Sequence, residues 1–446
     1  LDVRRRGRFC PRAPMYHYLG APHRARLHTY KYSSAGSSLL STYVLSPYWN
    51  WLVTLFPLWV APNTITLLGL VFVLVNVLTV FALDGGYANA TALRAATLQQ
   101  ATPLPIVQVL PNAGLPARLL NVAPAAHSVV PRWMFFVWGV SLFLYQSFDS
   151  IDGKQARRTG MAGPLGELFD HGCDALNTML EILVASSVVS FGRSYWTLVV
   201  MVSAMANFYL TTWEEYHTGT LYLSAFSGPV EGLCILSLLY VMAGVFGAEF
   251  LTEGVLNLSG LAALEPVRMH LAWANWPLSD VLASVTTMGL VANAVTAYGN
   301  VAALRRRENK GVLAPLWGLT PFVLQVTANS AWALGQDAQI IVQRDVFVPF
   351  LLYWGISFAY LVGLLILAHM CRTAFPYFHV LMVPSIVLAI DAWLPQPVFQ
   401  ATPHATTAVV YVALLCSLAV YGYFVYDVIA TITAETHKPC FRVKRE

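Results

Sequence analysis

The sequence predicts an all-α integral membrane protein of about ten transmembrane helices, and three observations carry that prediction. Of the 446 residues, 57% are hydrophobic and only 11% charged, with a mean hydropathy of +0.59; soluble domains carry about 25% charged residues. Apolar runs long enough to cross a bilayer recur down the chain. Between two of them lies the stretch SFDSIDGKQARRTGMAGPLGELFDHGCDALN, from Ser147 to Asn177, which holds four aspartates. The net charge of +4 is too small to call for a nucleic-acid partner. Six cysteines are scattered singly with no CxxC pair, which argues against structural zinc or a disulfide framework.

Residues 1–45 are basic and polar and read as a cytosolic, partly disordered arm with no apolar signal-peptide core. Residues 46–61 are Trp-rich and too short to span, so an amphipathic helix lying in the membrane interface is expected there. Spans are expected at 63–83, 133–150, 168–190, 195–212, 230–247, 279–303, 313–333, 346–370, 376–394 and 406–431. Residues 62–250 would form the helices around the aspartate stretch, 251–432 the later spans, and 433–446 a basic cytosolic tail. Of the 26 Lys and Arg, only Arg94, Arg118, Arg132, Arg193, Arg268 and Arg344 fall in the connections opposite the N-terminal side. The positive-inside rule therefore places both termini and the aspartate stretch in the cytosol. The sequons at Asn89 and Asn257 both fall on the lumenal side, which fits the secretory pathway generally and does not separate endoplasmic reticulum from Golgi. The lumenal loops 84–132 and 248–278 carry few charges and no assigned role.

Asp149 and Asp152 are three apart and Asp170 and Asp174 four apart, so each pair shares one helix face. Carboxylates at membrane depth are costly and mark a functional site. Four of them converging would be untenable without positive charge between them, and hard oxygen ligands suit Mg²⁺ or Mn²⁺. A cation-coupled transporter would also use such acids, but needs no Gly, Ala and Arg at fixed offsets. The connection between the pairs holds Gly153, Gly160, Gly163, Pro164 and Gly166, which lets the two helix ends converge.

Asp149, Asp152, Gly153, Ala156, Arg157, Gly166, Asp170 and Asp174 spell DxxDGxxARx8GxxxDxxxD, without departure. That pattern resembles the signature of the CDP-alcohol phosphatidyltransferase family. The filler GKQARR, PLGELFDHGCD and GPVEG is similar to the eukaryotic choline/ethanolamine phosphotransferase branch, and the resemblance runs from about Tyr30 through the final apolar run. It implies transfer of phosphocholine or phosphoethanolamine from CDP-choline or CDP-ethanolamine to the 3-hydroxyl of diacylglycerol, giving phosphatidylcholine or phosphatidylethanolamine and CMP. It further implies that the four aspartates hold two divalent cations on the pyrophosphate. Gly153, Ala156 and Gly166 would let the nucleotide approach the backbone. Arg157, aided by Lys154 and Gln155, would pair with a phosphate oxygen, unless it is a charge anchor like Arg158. Asn63 would contact the CDP moiety, or merely cap its helix. His171 would be the general base, against the readings of a metal ligand or a satisfied polar residue. Glu231 would orient His171, or only complement a helix dipole. Glu214, Glu215 and His217 read as a solvated loop, and Cys173 as small filler. The later spans would form a lipid cavity and a homodimer interface. The signature alone also permits a CDP-diacylglycerol-dependent enzyme with inositol, serine or glycerol phosphate as acceptor; the filler and chain length argue against it. Choline and ethanolamine are not distinguished.

Overall fold

The computed structural model describes residues 17–444 apart from 31, 37–38, 101–114, 120–121, 124, 126, 223–227 and 272–273. Its first element, α1 (Ala21–Leu27), belongs to the segment expected to be a loose arm. Leu19 and Leu27 are each 1% exposed, and Arg26 donates to the carbonyls of Cys371 and Arg372 at 3.1 and 2.5 Å. The described part of the arm is thus docked, because apolar residues among its arginines reach the core; residues 1–16 lie outside the described residues. Two-residue strands, β1 (Ser34–Ala35) and β2 (Leu221–Tyr222), pair in parallel and tie the arm to a segment about 190 residues later.

The helix expected over 46–61 lies earlier in the chain: helical backbone is already present at Leu39 and passes through a π-helical stretch, Ser41–Leu45, before reaching residue 46. α2 (Ser46–Leu52) runs into a single 3-10 turn, Val53–Leu55, and Phe56 then turns extended because Pro57 follows. Trp49, Leu52 and Val53 pack with Ile151, while Trp51 and Trp59 are 57% and 73% exposed. α3 (Pro62–Leu83) follows, with Pro62 at its first position, where the missing N–H costs nothing.

The loop expected over 84–132 contains a helix, α4 (Ala88–Gln100). It is clamped to the second half of the chain by the buried bidentate pair Arg94–Asp280, at 2.5 and 2.8 Å. Thr91 of the first sequon is fully buried, and its hydroxyl bonds to the Tyr87 carbonyl. That motif is part of the packing. α5 (Arg132–Arg158), α6 (Pro164–Val188), α7 (Tyr195–Thr218) and α8 (Pro229–Phe246) complete the first half. Short helices α9 (Glu249–Thr252), α10 (Val255–Leu258) and α11 (Glu265–His270) lead to α12 (Leu278–Arg307). α13 (Thr320–Val342), α14 (Arg344–Cys371), α15 (Met382–Ala392) and α16 (Pro403–Thr436) end the bundle.

Six helices among the described residues are long and apolar enough to cross a membrane: α3, α5, α8, α12, α14 and α16. α6 is long enough but carries Glu167, Asp170, His171, Asp174, Asn177 and Glu181, whose polarity lowers its hydropathy. The core centres on α14, which is buried along most of its length against α6, α7, α13 and α16. Where α14 meets α6, a Cβ at Gly355 would collide with Met179, so glycine permits the close approach. α6 is therefore held rigidly between α14 behind and α3 and α5 in front.

Candidate active site

α5 and α6 meet through a tight connection. Gly160 adopts a left-handed conformation (φ +66°), and the Met161 N–H reaches back to the Ala156 carbonyl at 2.9 Å, closing α5. Pro164 opens α6. Gly153 and Gly166, expected in this connection, lie inside α5 and α6, because the turn needs only residues 159–163.

Oxygens of Asp149, Asp170 and Asp174 lie within 4.8 Å of one another. Asp149 Oδ1 and Asp170 Oδ1 are buried without a hydrogen-bond partner. Asp152, 7% exposed, stands beside Asp170 and is held by the Thr66 hydroxyl. Asp174 accepts from the Tyr145 hydroxyl. Like charges about 4 Å apart repel by roughly 4 kcal/mol per pair at an effective dielectric constant of about 20. Unpaired oxygens aimed into one space, from an all-carboxylate donor set, fit a hard divalent cation. Thr66 and Tyr145, not anticipated, orient two of these carboxylates. The signal was available: Tyr145 lies one turn before Asp149, and Thr66 one turn after Pro62.

Asn63 is 6% exposed near the start of α3. Ala61 is the N-cap and no side chain caps the helix, so the capping reading is corrected. Its Nδ2 donates to Cys440 Sγ at 3.3 Å, and a Cβ at Gly166 would lie 3.9 Å from its Oδ1. The last segment of the chain therefore folds over this corner. Lys438 donates to the carbonyls of Gly160 and Ala162 at 3.2 and 2.6 Å, and Phe441 meets Phe169 edge-on. The Arg157 guanidinium is exposed and, among the described residues, makes no hydrogen bond or ion pair; Gly153 lies beside it and Ala156 is buried one residue before. Its neighbours have other work. Gln155, fully buried, donates to the carbonyls of Pro57 and Val60, both at 3.0 Å, and Arg158 reaches the Val53 carbonyl. Lys154 bonds to Asn50 at 2.8 Å. These three staple α5 to α2 and to the segment after it.

His171 is half-buried on α6, outside the aspartate group, with its ring 6.3 Å from that of Tyr32. Glu231, in the first turn of α8, has both carboxylate oxygens buried and unpartnered, and makes no ion pair with His171 among the described residues. Glu214 and Glu215 are not in a solvated loop: α7 continues to Thr218, and both are 3% exposed. Glu214 receives the Asn300 amide at 2.6 Å. Glu215 lies with Glu167 and His369, ligand atoms within 4.8 Å of one another.

The family model described as CDP-alcohol phosphatidyltransferase matches residues 108–279. Cholinephosphotransferase 1 of Saccharomyces cerevisiae is 31% identical over 427 residues, covering 91% of this chain and 93% of the relative. Choline/ethanolaminephosphotransferase 1 of the same yeast is 32% identical, covering 82% of each chain. Choline/ethanolaminephosphotransferase 1 of Arabidopsis thaliana is 35% identical, covering 79% of each. Near-full-length similarity at this level, with an undisturbed signature on converging helices, fixes the assignment: the chain belongs to the CDP-alcohol phosphatidyltransferase family.

Proposed function

We propose that this protein is a membrane phosphotransferase that moves phosphocholine or phosphoethanolamine from the CDP-alcohol to the 3-hydroxyl of diacylglycerol and releases CMP. The observation that carries the reading is the convergence of Asp149, Asp170 and Asp174 within 4.8 Å, with buried unpaired oxygens, in a chain similar over most of its length to proteins named for that reaction.

Asp149, Asp152, Asp170 and Asp174 would hold two Mg²⁺ or Mn²⁺ ions, which supply charge neutralisation to the pyrophosphate and the departing CMP. The uncommitted Arg157 guanidinium pairs with a phosphate oxygen, and the bare backbone at Gly153 and Gly166 leaves room for the nucleotide. Asn63 contacts the nucleotide once its bond to Cys440 gives way. A ring nitrogen of His171 takes the proton of the acceptor hydroxyl. That oxygen bonds to the β-phosphorus as the bond to the bridging pyrophosphate oxygen breaks, leaving CMP. Glu231 orients the histidine in the loaded enzyme. The charge distribution supports a cytosol-facing site, in a membrane of the endoplasmic reticulum or Golgi, with α6, α7, α13 and α15 adding spans to the six apolar helices. The later helices supply the lipid cavity and a homodimer interface.

The test is product formation. Purified protein given diacylglycerol, Mg²⁺ and headgroup-labelled CDP-choline or CDP-ethanolamine is expected to yield labelled phosphatidylcholine or phosphatidylethanolamine. No product from either donor, with product instead from CDP-diacylglycerol and a polar alcohol, would overturn the reading.

A further inference from the structure

Glu167 lies one turn before His171, on the same face of α6. Around that face the fold gathers groups from three distant segments. Tyr30, beyond α1, donates from its hydroxyl to Glu167 Oε1 at 2.5 Å, and its ring stands edge-on to the His369 imidazole at 5.8 Å. Glu215 comes from the end of α7 and His369 from the end of α14, both joining Glu167 within 4.8 Å. Tyr32 continues the wall toward His171.

Among the described residues the only basic group beside these two carboxylates is the His369 imidazole. Glu215 is 3% exposed and its carboxylate accepts no hydrogen bond among the described residues; His369 Nε2 is 4.0 Å away, beyond hydrogen-bond reach. Glu167 Oε2 is buried and unpartnered. No described lysine or arginine lies within ion-pair distance of either glutamate. Burial, then the Glu167 charge, pushes the Tyr30 hydroxyl far above its ordinary range, so it remains a donor and adds no charge of its own. An uncompensated buried carboxylate costs several kcal/mol, which a cationic ligand would offset.

The walls say which cation. A hard metal ion takes six or more oxygen ligands, whereas here two carboxylates are joined by tyrosine and imidazole rings. Carboxylates among aromatic rings recognise an alkylammonium. The location agrees: the cluster adjoins His171 and, one helix face around, the aspartates expected to hold the pyrophosphate. A short ethylene linker joins the ammonium to the transferred phosphate in both candidate donors. We infer that Glu167, Glu215 and His369, walled by Tyr30 and Tyr32, form the subsite for the ammonium headgroup of the CDP-alcohol. The inference rests on the proposed phosphotransferase activity.

Equilibrium binding of labelled CDP-choline to the purified full-length protein, with displacement by CMP, tests it. Glu215→Gln and Glu167→Gln keep the shape and remove a buried charge, so folding is preserved. Each is expected to weaken CDP-choline binding about tenfold or more and to leave CMP affinity unchanged. Unaltered CDP-choline affinity in both variants, with wild type binding normally, overturns the subsite alone. Wild type that binds neither CDP-choline nor CDP-ethanolamine overturns the functional reading and the subsite together. Loss of Zn²⁺ or Mn²⁺ binding in Glu215→Gln with CDP-choline affinity kept would make the cluster a metal site and overturn the assignment.

Discussion

On one face of α6, Asp170 and Asp174 meet Asp149 from the neighbouring helix; on the adjacent face, Glu167 meets Tyr30, Glu215 and His369 from three remote segments. Both faces gather buried carboxylates around a space that asks for positive charge. The first is assembled by a tight turn within one short stretch, the second only by the tertiary packing of α7 and α14 on α6. The aspartate face is accordingly written in local spacing, and the glutamate face is not. Under the proposed function the two faces also divide the substrate, the first taking the pyrophosphate and the second the headgroup.

Substitutions can break that division. The largest effect is expected at the aspartates: Asp174→Asn removes a ligand charge worth several kcal/mol in the transition state, so CMP release falls about a thousandfold or more with either donor. Its thermal melt does not fall, because like-charge repulsion is relieved; a collapsed melt would mean a structural role. Next, His171→Ala is expected to lower kcat by about a hundredfold to ten-thousandfold while CDP-choline binding, measured directly, is spared. Weaker binding with unchanged turnover per bound donor would remove His171 as the base. Tyr145→Phe frees Asp174 from its hydroxyl partner, and the metal concentration for half-maximal activity is expected to rise about tenfold. An unchanged metal titration would make that hydrogen bond incidental. The smallest effect is at the tail. Cys440→Ala deletes the weak bond from Asn63, worth about 1 kcal/mol or less, and the KM for the CDP-alcohol is expected to fall slightly as Asn63 is released. A rise would mean that the tail holds Asn63 in its binding position.

The helical, membrane-embedded character and the aspartate site are legible in the sequence because both depend on patterns within about 25 residues, hydropathy over a span and offsets along a helix. Pro62 and Pro164 mark the starts of α3 and α6 for the same local reason. Glu215 reads as a loop residue because charges near Thr-Gly resemble a loop; what keeps the helix going is the burial of Glu214 against Asn300 and of Glu215 against α6 and α14. Nothing near His369 announces a partner 154 residues earlier at Glu215. The docking of Leu19 and Leu27, and of Cys440 on Asn63, likewise depends on surfaces that exist only once the bundle forms.

The central claim is that the Asp149–Asp170–Asp174 face holds the metal that makes phosphoryl transfer possible. CMP release from CDP-choline or CDP-ethanolamine with diacylglycerol, measured across a Mg²⁺ titration for wild type and Asp174→Asn, tests it most directly. Wild type is expected to show release that EDTA abolishes and Mg²⁺ restores, and Asp174→Asn to stay about a thousandfold or more below wild type at every Mg²⁺ concentration. Release that survives EDTA, or an Asp174→Asn enzyme with the wild-type metal response, would contradict it.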